Sequence, residues 1–439
     1  MSHSRAFHLI LANNLVQNLV NFTVWFALVF WAFLETRSVF VTGMIGGIYL
    51  VLGAVLAPWF GSLVDHHAKR RVMLASSVAS FALYAVALGV VLIAPPSALS
   101  QVDRAPLWIF TGIAMLGVIA GNLRMIALPT LVTALIPPDG RDKANGLVGM
   151  VSGLGFLITS AISGFLVAWD GMRGTLALAL VATVIAFGHM LTVRLAEPRA
   201  ETAEDDAPRR VDLSGTLAVI RAVPGLGALI LFACFNNLLG GVFMALMDAY
   251  GLSLMSVEAW GLLWAGASSA FIVSGLIIAK AGLGPNPLRT LMLVNLVVWL
   301  VAALFSVQSS ILLLGIGCVL WLALSPFAEA AEQTALQQVV PFERQGRVFG
   351  FAQAVENSAA PLMAVLIGPV TQYLAIPFMT DGAGAAAVGH WYGTGPERGM
   401  ALVFTLTGVA GMALTLAAMA SGSYRALSAA VREASAPAA

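Results

Sequence analysis

Gly61-Ser62-Leu63-Val64-Asp65-His66-His67-Ala68-Lys69-Arg70-Arg71 sets one carboxylate, two imidazoles and three cations between two long apolar segments. Charged residues make up only 10% of the 439-residue chain, hydrophobic residues 59%, and mean hydropathy is +0.92. A soluble protein of this length has no interior large enough to hide so much apolar surface. The charged cluster therefore reads as a short loop joining two membrane-spanning helices, on the side of the membrane where Lys and Arg collect. The expected class is an all-α membrane protein.

A helix rising about 1.5 Å per residue needs about 20 residues to cross about 30 Å of hydrocarbon. Twelve segments reach that length, at 8–33, 40–64, 72–94, 107–135, 144–168, 174–194, 225–250, 258–280, 289–307, 310–338, 348–374 and 399–420. The first apolar stretch, Phe7 to Leu34, is too long for the core of a signal peptide and is expected to stay as a helix. With loops assigned alternately to the two faces, Arg37, Arg104, Arg173 and Arg398 fall on one side and Arg124 inside a span. The other 17 of the 22 Lys and Arg residues lie on the side of the amino terminus. By the positive-inside rule both termini are cytoplasmic, and an even number of spans requires the same.

Between the sixth and seventh segments runs Ala196 to Val223, with Glu197, Pro198, Arg199, Glu204, Asp205, Asp206 and Pro208, the polar composition of a linker. The expected organisation is an amino-terminal six-helix bundle at 1–195, a cytoplasmic linker at 196–224, a second bundle at 225–420 and a tail at 421–439. The halves match where their fourth and fifth segments meet. Displaced by about 204 positions, Thr130, Pro137, Asp139, Lys143 and Gly146 face Thr334, Pro341, Glu343, Arg347 and Gly350. Proline, acid, base and glycine match in order, which favours a duplicated six-helix unit with the bundles related by a pseudo-twofold axis. Many secondary transporters share that plan, with the substrate near mid-membrane at the repeat interface.

The loop that opens this section carries a more specific pattern. Gly61, Asp65, Lys69 and Arg70 occupy positions of the loop signature of the major facilitator superfamily, which the chain resembles over essentially its full length. His66 stands where arginine is usual and Ala68 replaces the second glycine, so one donor is weaker and sensitive to pH. The resemblance implies a cytoplasmic latch made of Gly61, Asp65, Lys69, Arg70 and Arg71, closing against the amino end of the eleventh helix. Physically, a carboxylate there is favoured by the free N–H groups of a helix beginning near Arg347 to Gly350.

An ionised side chain inside a span costs at least about 2.5 to 3.5 kcal/mol, so each one asks for a reason. Arg124 sits in the fourth segment, Glu329 and Glu332 in the tenth, and Glu356 in the eleventh. The repeat register sets Arg124 opposite Ala328, next to Glu329. The expectation is that Glu332, Glu329 and Glu356 include a proton-coupling site and that Arg124 biases it; static structural pairing is the competing reading. In the first segment Asn13, Gln17 and Asn21, and likewise Asn14 and Asn18, recur in steps of four, so each set follows one helix face. The candidate substrate cavity comprises Asn14, Gln17, Asn18, Asn21, Trp25, Asn236, Asn237 and Asp248, with interhelical hydrogen bonding as the alternative use of these amides. Glu35 and Asp248, at the outer ends of the first and seventh segments, read as interfacial, which for Asp248 is the alternative to a place in the cavity. The outer segment Ala375 to Glu397 reads as a disordered glycine-alanine loop, with a segment folded over the cavity mouth as the alternative.

Within the superfamily, Trp391-Tyr392-Gly393-Thr394-Gly395, Arg398-Gly399 and Tyr424-Arg425 resemble the drug:proton antiporter branch that includes macrolide and multidrug exporters. The fifth segment is glycine-rich like that branch, yet reads Thr159-Ser160-Ala161 where a Gly-Pro step is usual. The resemblance implies extrusion of bulky apolar or cationic compounds in exchange for protons, by alternating access in the plasma (inner) membrane. The alternatives are a facilitator or exporter of a physiological solute such as a siderophore, lipid or metabolite, and a non-transporting membrane sensor, which has no use for costly buried charges. The expected partners are a small-molecule substrate, the proton and the lipid bilayer, acting on a monomer. A net charge of +1 offers no field for nucleic acid. Cys234 and Cys318 lack metal-ligand spacing, no nucleotide-binding glycine loop occurs, and neither an enzyme activity nor a cofactor or metal is expected.

Overall fold

A computed structural model describes residues 3–36, 39–193 and 213–435 of the chain. Most of the expected linker, together with Arg37, lies outside the described residues. The described chain is helical with no strand, as apolar spans demand, because in hydrocarbon every backbone N–H and C=O must be paired within its own segment. The membrane-length helices are α1 (His3–Thr36), α2 (Val39–His66), α3 (Lys69–Ile93), α4 (Ala105–Leu135), α5 and α6 (the arms 141–169 and 172–192 of Arg141–Thr192), α7 (Leu226–Leu254), α8 (Val257–Ala281), α9 (Pro287–Leu304), α10 (Ile311–Val339), α11 (Gln345–Val370) and α12 (Pro396–Ala420).

The break between α5 and α6 is local and has a clear cause. Gly171 adopts φ 57° with ψ −139°, a conformation that side chains disfavour, and Asp170 before it is also non-helical. At the other end of α5 the two halves repeat each other in detail. Pro137 and Pro341, both near φ −55° and extended in ψ, precede one-turn 3-10 helices, Pro138–Gly140 and Phe342–Arg344, which lead into α5 and α11. Proline cannot continue the preceding helix and is preorganised to begin the next turn.

The segment read as a glycine-alanine loop is instead largely helical. A π-turn at Thr371–Ala375 follows Pro369, then come helices Ile376–Thr380 and Ala383–Tyr392. Alanine is the strongest helix former, and the segment is tied down from α12. Arg398, only 1% exposed, donates to the carbonyls of Ser306 and Val307 at 2.9 and 2.7 Å and stacks over the Tyr392 ring at 4.3 Å. The tail expected after residue 420 also carries structure. Gly422–Ser435 is an amphipathic helix that buries Leu427 and Val431, with Ser428 accepting from Asn286 at 2.8 Å.

The chain gathers into two compact units. One comprises Met1–Arg141, Val151–Thr216 and Pro341–Ala354; the other Asp142–Met150, Leu217–Val340 and Val355–Ala439. The start of α11 thus groups with the first half and the start of α5 with the second. In the first unit α3 and α4 meet closely, with Ser76 and Ser80 donating to the carbonyls of Ala120 and Gly117, both at 2.8 Å. The second unit is centred on stacked rings, Phe243 on Phe404 with Tyr250, Trp299 and Phe305 around them. A Cβ on Gly411 would collide with the Trp299 ring and one on Gly408 with the Ala303 backbone, which is why small residues stand where α12 crosses α9.

Candidate functional site

The charged loop holds the start of α11. Asp65, at the end of α2, accepts the backbone N–H groups of Gly346 and Arg347 at 2.6 and 2.9 Å and pairs with Arg347 Nε at 3.6 Å, with the Lys69 charge also acting on it. These are N–H groups of a first helical turn, which have no partner within their own helix and carry the positive end of its dipole. The approach depends on glycine. A Cβ at Gly61 would lie 2.3 Å from the Gly346 carbonyl oxygen, and one at Gly350 2.4 Å from that of Ala57. His66 fills the usual arginine position with a different device. Its Nδ1 lies 2.8 Å from the Ser62 carbonyl and its Nε2 2.8 Å from the Arg347 guanidinium, contacts that a neutral ring with its proton on Nδ1 satisfies together. Lys69, buried, lies over the Phe342 ring at 5.1 Å, while Arg70 donates to the Met190 and Leu191 carbonyls and so caps the end of α6. Arg71 is exposed.

Arg124 is enclosed in the first unit, 1% exposed. Its guanidinium donates to Asn13 Oδ1 at 2.8 Å, to the Met73 carbonyl at 3.0 Å and to Ser77 Oγ at 2.5 Å, so one side chain of α4 joins α1 and α3. Asn13 in turn donates to the Ala186 carbonyl of α6 at 2.6 Å. Asn21 is also interior, accepting from the Tyr84 hydroxyl at 3.1 Å. Asn14 and Gln17 are buried, and Asn14 Oδ1 and Gln17 Nε2 have no hydrogen-bond partner. Buried amide atoms left open in this way are rare and mark places for water or ligand. Asn18 and Trp25 are half-buried, Trp25 lying against Tyr49 with ring centres 4.3 Å apart.

All three candidate glutamates belong to the second unit. Glu329 and Glu332 stand three residues apart, on one face of α10. The carboxyl groups of Glu332 and Glu356 come close enough across α10 and α11 to interact, with Glu329 near enough to act on Glu332 by its charge. A carboxylate only accepts hydrogen bonds, so two carboxyls bond each other only when one of them carries a proton. Glu332 and Glu356 are half-buried and Glu329 is exposed. Glu356 Oε1 is a buried acceptor without a donor.

On α7, Asn236 is fully engaged, donating to Asn295 Oδ1 and accepting from Trp299 Nε1, both at 2.7 Å, while Asn237 is exposed and bonds the Ala233 carbonyl. Asp248 is exposed and accepts from Trp260 Nε1 at 3.0 Å. In the first unit Glu35 lines a cavity of about 390 Å³ with Trp31, Trp169, Asp170 and Arg173.

Sequence reasoning missed a second clasp. In the second unit Asp142, at the start of α5, accepts the Leu283 N–H beyond α8 at 2.7 Å, and Asn145 donates to Thr334 Oγ1 and Gln337 Oε1 of α10 at 2.8 and 2.9 Å. A Cβ at Gly146 would meet Ile278, and one at Gly275 the Met150 backbone. The signal was present in the repeat register, which pairs Gly146 with Gly350 and Lys143 with Arg347.

The model of the family described as Major Facilitator Superfamily matches residues 10–364. Over 372 residues the chain is 21% identical to a protein named macrolide efflux protein A of Streptococcus pyogenes, covering 82% of this chain and 88% of that one. It is 26% identical over 287 residues to the uncharacterized MFS-type transporter y4rN of Sinorhizobium fredii, covering 62% of this chain and 67% of that one. Among solved structures it is similar to the human organic anion transporter MFSD10, with a TM-score of 0.66 at 16% identity over 94% of this chain and 100% of that one. It is also similar to the proton:xylose symporter XylE, with a TM-score of 0.65 at 13% identity over 94% of this chain and 95% of that one. At such identities the structural likeness speaks to the fold alone: an all-α membrane fold of twelve helices in two six-helix bundles. With the family match running from α1 into α11 and the fold in agreement, this chain belongs to the Major Facilitator Superfamily and is a multi-pass membrane transporter of small molecules.

Proposed function

We propose that the protein is a proton-coupled exporter of bulky apolar or cationic compounds, macrolides among them, working as a monomer by alternating access in the plasma membrane with both termini in the cytoplasm. The observation that carries the coupling is the contact between the Glu332 and Glu356 carboxyls, with Glu329 beside them. A pair that holds one proton between two helices has the chemistry to take up and release that proton when a change of state exposes it. Moving one charge through 100 mV is worth about 2.3 kcal/mol, enough to drive modest extrusion. The relatives named macrolide efflux protein A support the direction of transport and the bulk of the substrate. Asp65, Lys69 and Arg70 act as the cytoplasmic latch. Arg124 acts from inside the first unit, fixing α1 against α3 and α4 and thereby placing the open amides of Asn14 and Gln17 toward the substrate.

The test is flux by the purified protein in lipid vesicles with an imposed pH gradient, using erythromycin and ethidium. Gradient-dependent movement abolished by an uncoupler is the expected outcome. Flux indifferent to the uncoupler favours the facilitator reading.

A further inference from the structure

A cavity of about 320 Å³ lies in the second unit, walled by Phe243, Met244 and Met247 of α7, Trp264 of α8 and Trp321 of α10, together with Asp248. No Lys, Arg or His lines it. Among the described residues the hydrogen bond to the Asp248 carboxylate comes from Trp260, which is buried and therefore holds the carboxylate in place. The wall is rigid on one side and yielding on the other. Phe243 is stacked on Phe404 with ring centres 5.0 Å apart and leans on Trp321 at 4.9 Å. Met244 and Met247 bring unbranched, polarisable chains that adapt to different shapes.

Each feature selects in the same direction. An anion meets a carboxylate and no cation. A neutral compound gains nothing from the carboxylate, and a second cationic centre finds no second acid. A single positive charge surrounded by hydrocarbon pairs with Asp248 and suits a wall rich in aromatic rings, Phe243, Trp264 and Trp321. A volume near the lower end of small-molecule sites accommodates one portion of a bulky compound rather than the whole.

We infer that this cavity binds one cationic, largely apolar group, such as the ammonium-bearing portion of a larger molecule, with Asp248 as its counter-charge. The inference rests on reading the chain as an exporter of bulky compounds, and its test uses binding rather than transport so that the two can fail separately. Asp248→Asn keeps an oxygen for the Trp260 N–H and removes the charge. With the full-length protein in detergent, the affinity for radiolabelled tetraphenylphosphonium is compared with that for triphenylmethanol, an uncharged compound of similar bulk. The substitution is expected to lower the ratio of the two affinities by at least about tenfold, equivalent to about 1.4 kcal/mol. If Asp248→Asn yields no folded protein, Trp264→Leu is used, with a severalfold fall in the same ratio expected.

Three results would overturn the inference: a wild-type protein that does not bind tetraphenylphosphonium, a substituted protein that binds it as the wild type does, or an equal loss of both probes, which marks a structural role. A lowered ratio in a protein whose flux ignores a pH gradient leaves the cavity standing and removes the coupled-exporter reading. Gradient-driven flux with an unchanged ratio does the reverse.

Discussion

Asp65 illustrates how much one carboxylate does where charges are scarce. Each hydrogen bond from a backbone N–H to a charged acceptor contributes about 1.5–3 kcal/mol net, and Asp65 has two of them, at Gly346 and Arg347. Asparagine at this position retains one good acceptor but turns an N–H₂ group toward the helix start. Asp65→Asn is therefore expected to reduce transport at least about tenfold, the effect of losing about 1.4 kcal/mol, with the yield of folded protein unchanged. Wild-type flux from a well-expressed Asp65→Asn protein would dispose of the latch. At this scale the sequence was informative for a physical reason: a carboxylate or a cation in an apolar chain is conspicuous, and Asp65, Glu329, Glu332, Glu356 and Asp248 all stand out. What it withheld was partnership. Arg124 spends its donors on Asn13 and Ser77, 111 and 47 residues away, and no local pattern encodes that choice.

Helices were legible from length and hydropathy, and their interruptions less so. The division between α5 and α6 falls between Asp170 and Gly171, inside the gap left by the two expected spans, because a glycine at positive φ breaks the ladder there. The segment from 375 to 397 misled, since glycine and alanine together resemble a loop when the anchoring residue lies beyond it. That anchor is Arg398. It closes on Ser306, Val307 and Tyr392, and Gly393 and Gly395, at φ 91° and 118°, let the chain turn beneath it. Arg398→Ala leaves buried carbonyls without donors at about 1–3 kcal/mol each. The expected result is a lower Tm and faster proteolytic cleavage within Ala383–Tyr392, both followed on the purified protein. Unchanged Tm and unchanged cleavage would mean that alanine propensity alone keeps this helix in place.

At the scale of the whole molecule, composition and the distribution of charge lead directly to a twelve-helix transporter, while the proposed proton coupling depends on a few side chains brought together from α10 and α11. The two clasps, Asp65 on the start of α11 and Asp142 at the start of α5, stand at the same repeated Pro and 3-10 turn, each within its own unit. Such sites suit the proposed cycle, in which helix starts are gripped and released. The central claim is that Glu332 and Glu356 share the transported proton. It is tested most directly by comparing, in the same vesicles, substrate accumulation driven by an imposed pH gradient with substrate exchange at equal pH. Glu332→Gln and Glu356→Gln are each expected to lose the gradient-driven accumulation while retaining exchange. Accumulation at the wild-type level in both substituted proteins would contradict the account.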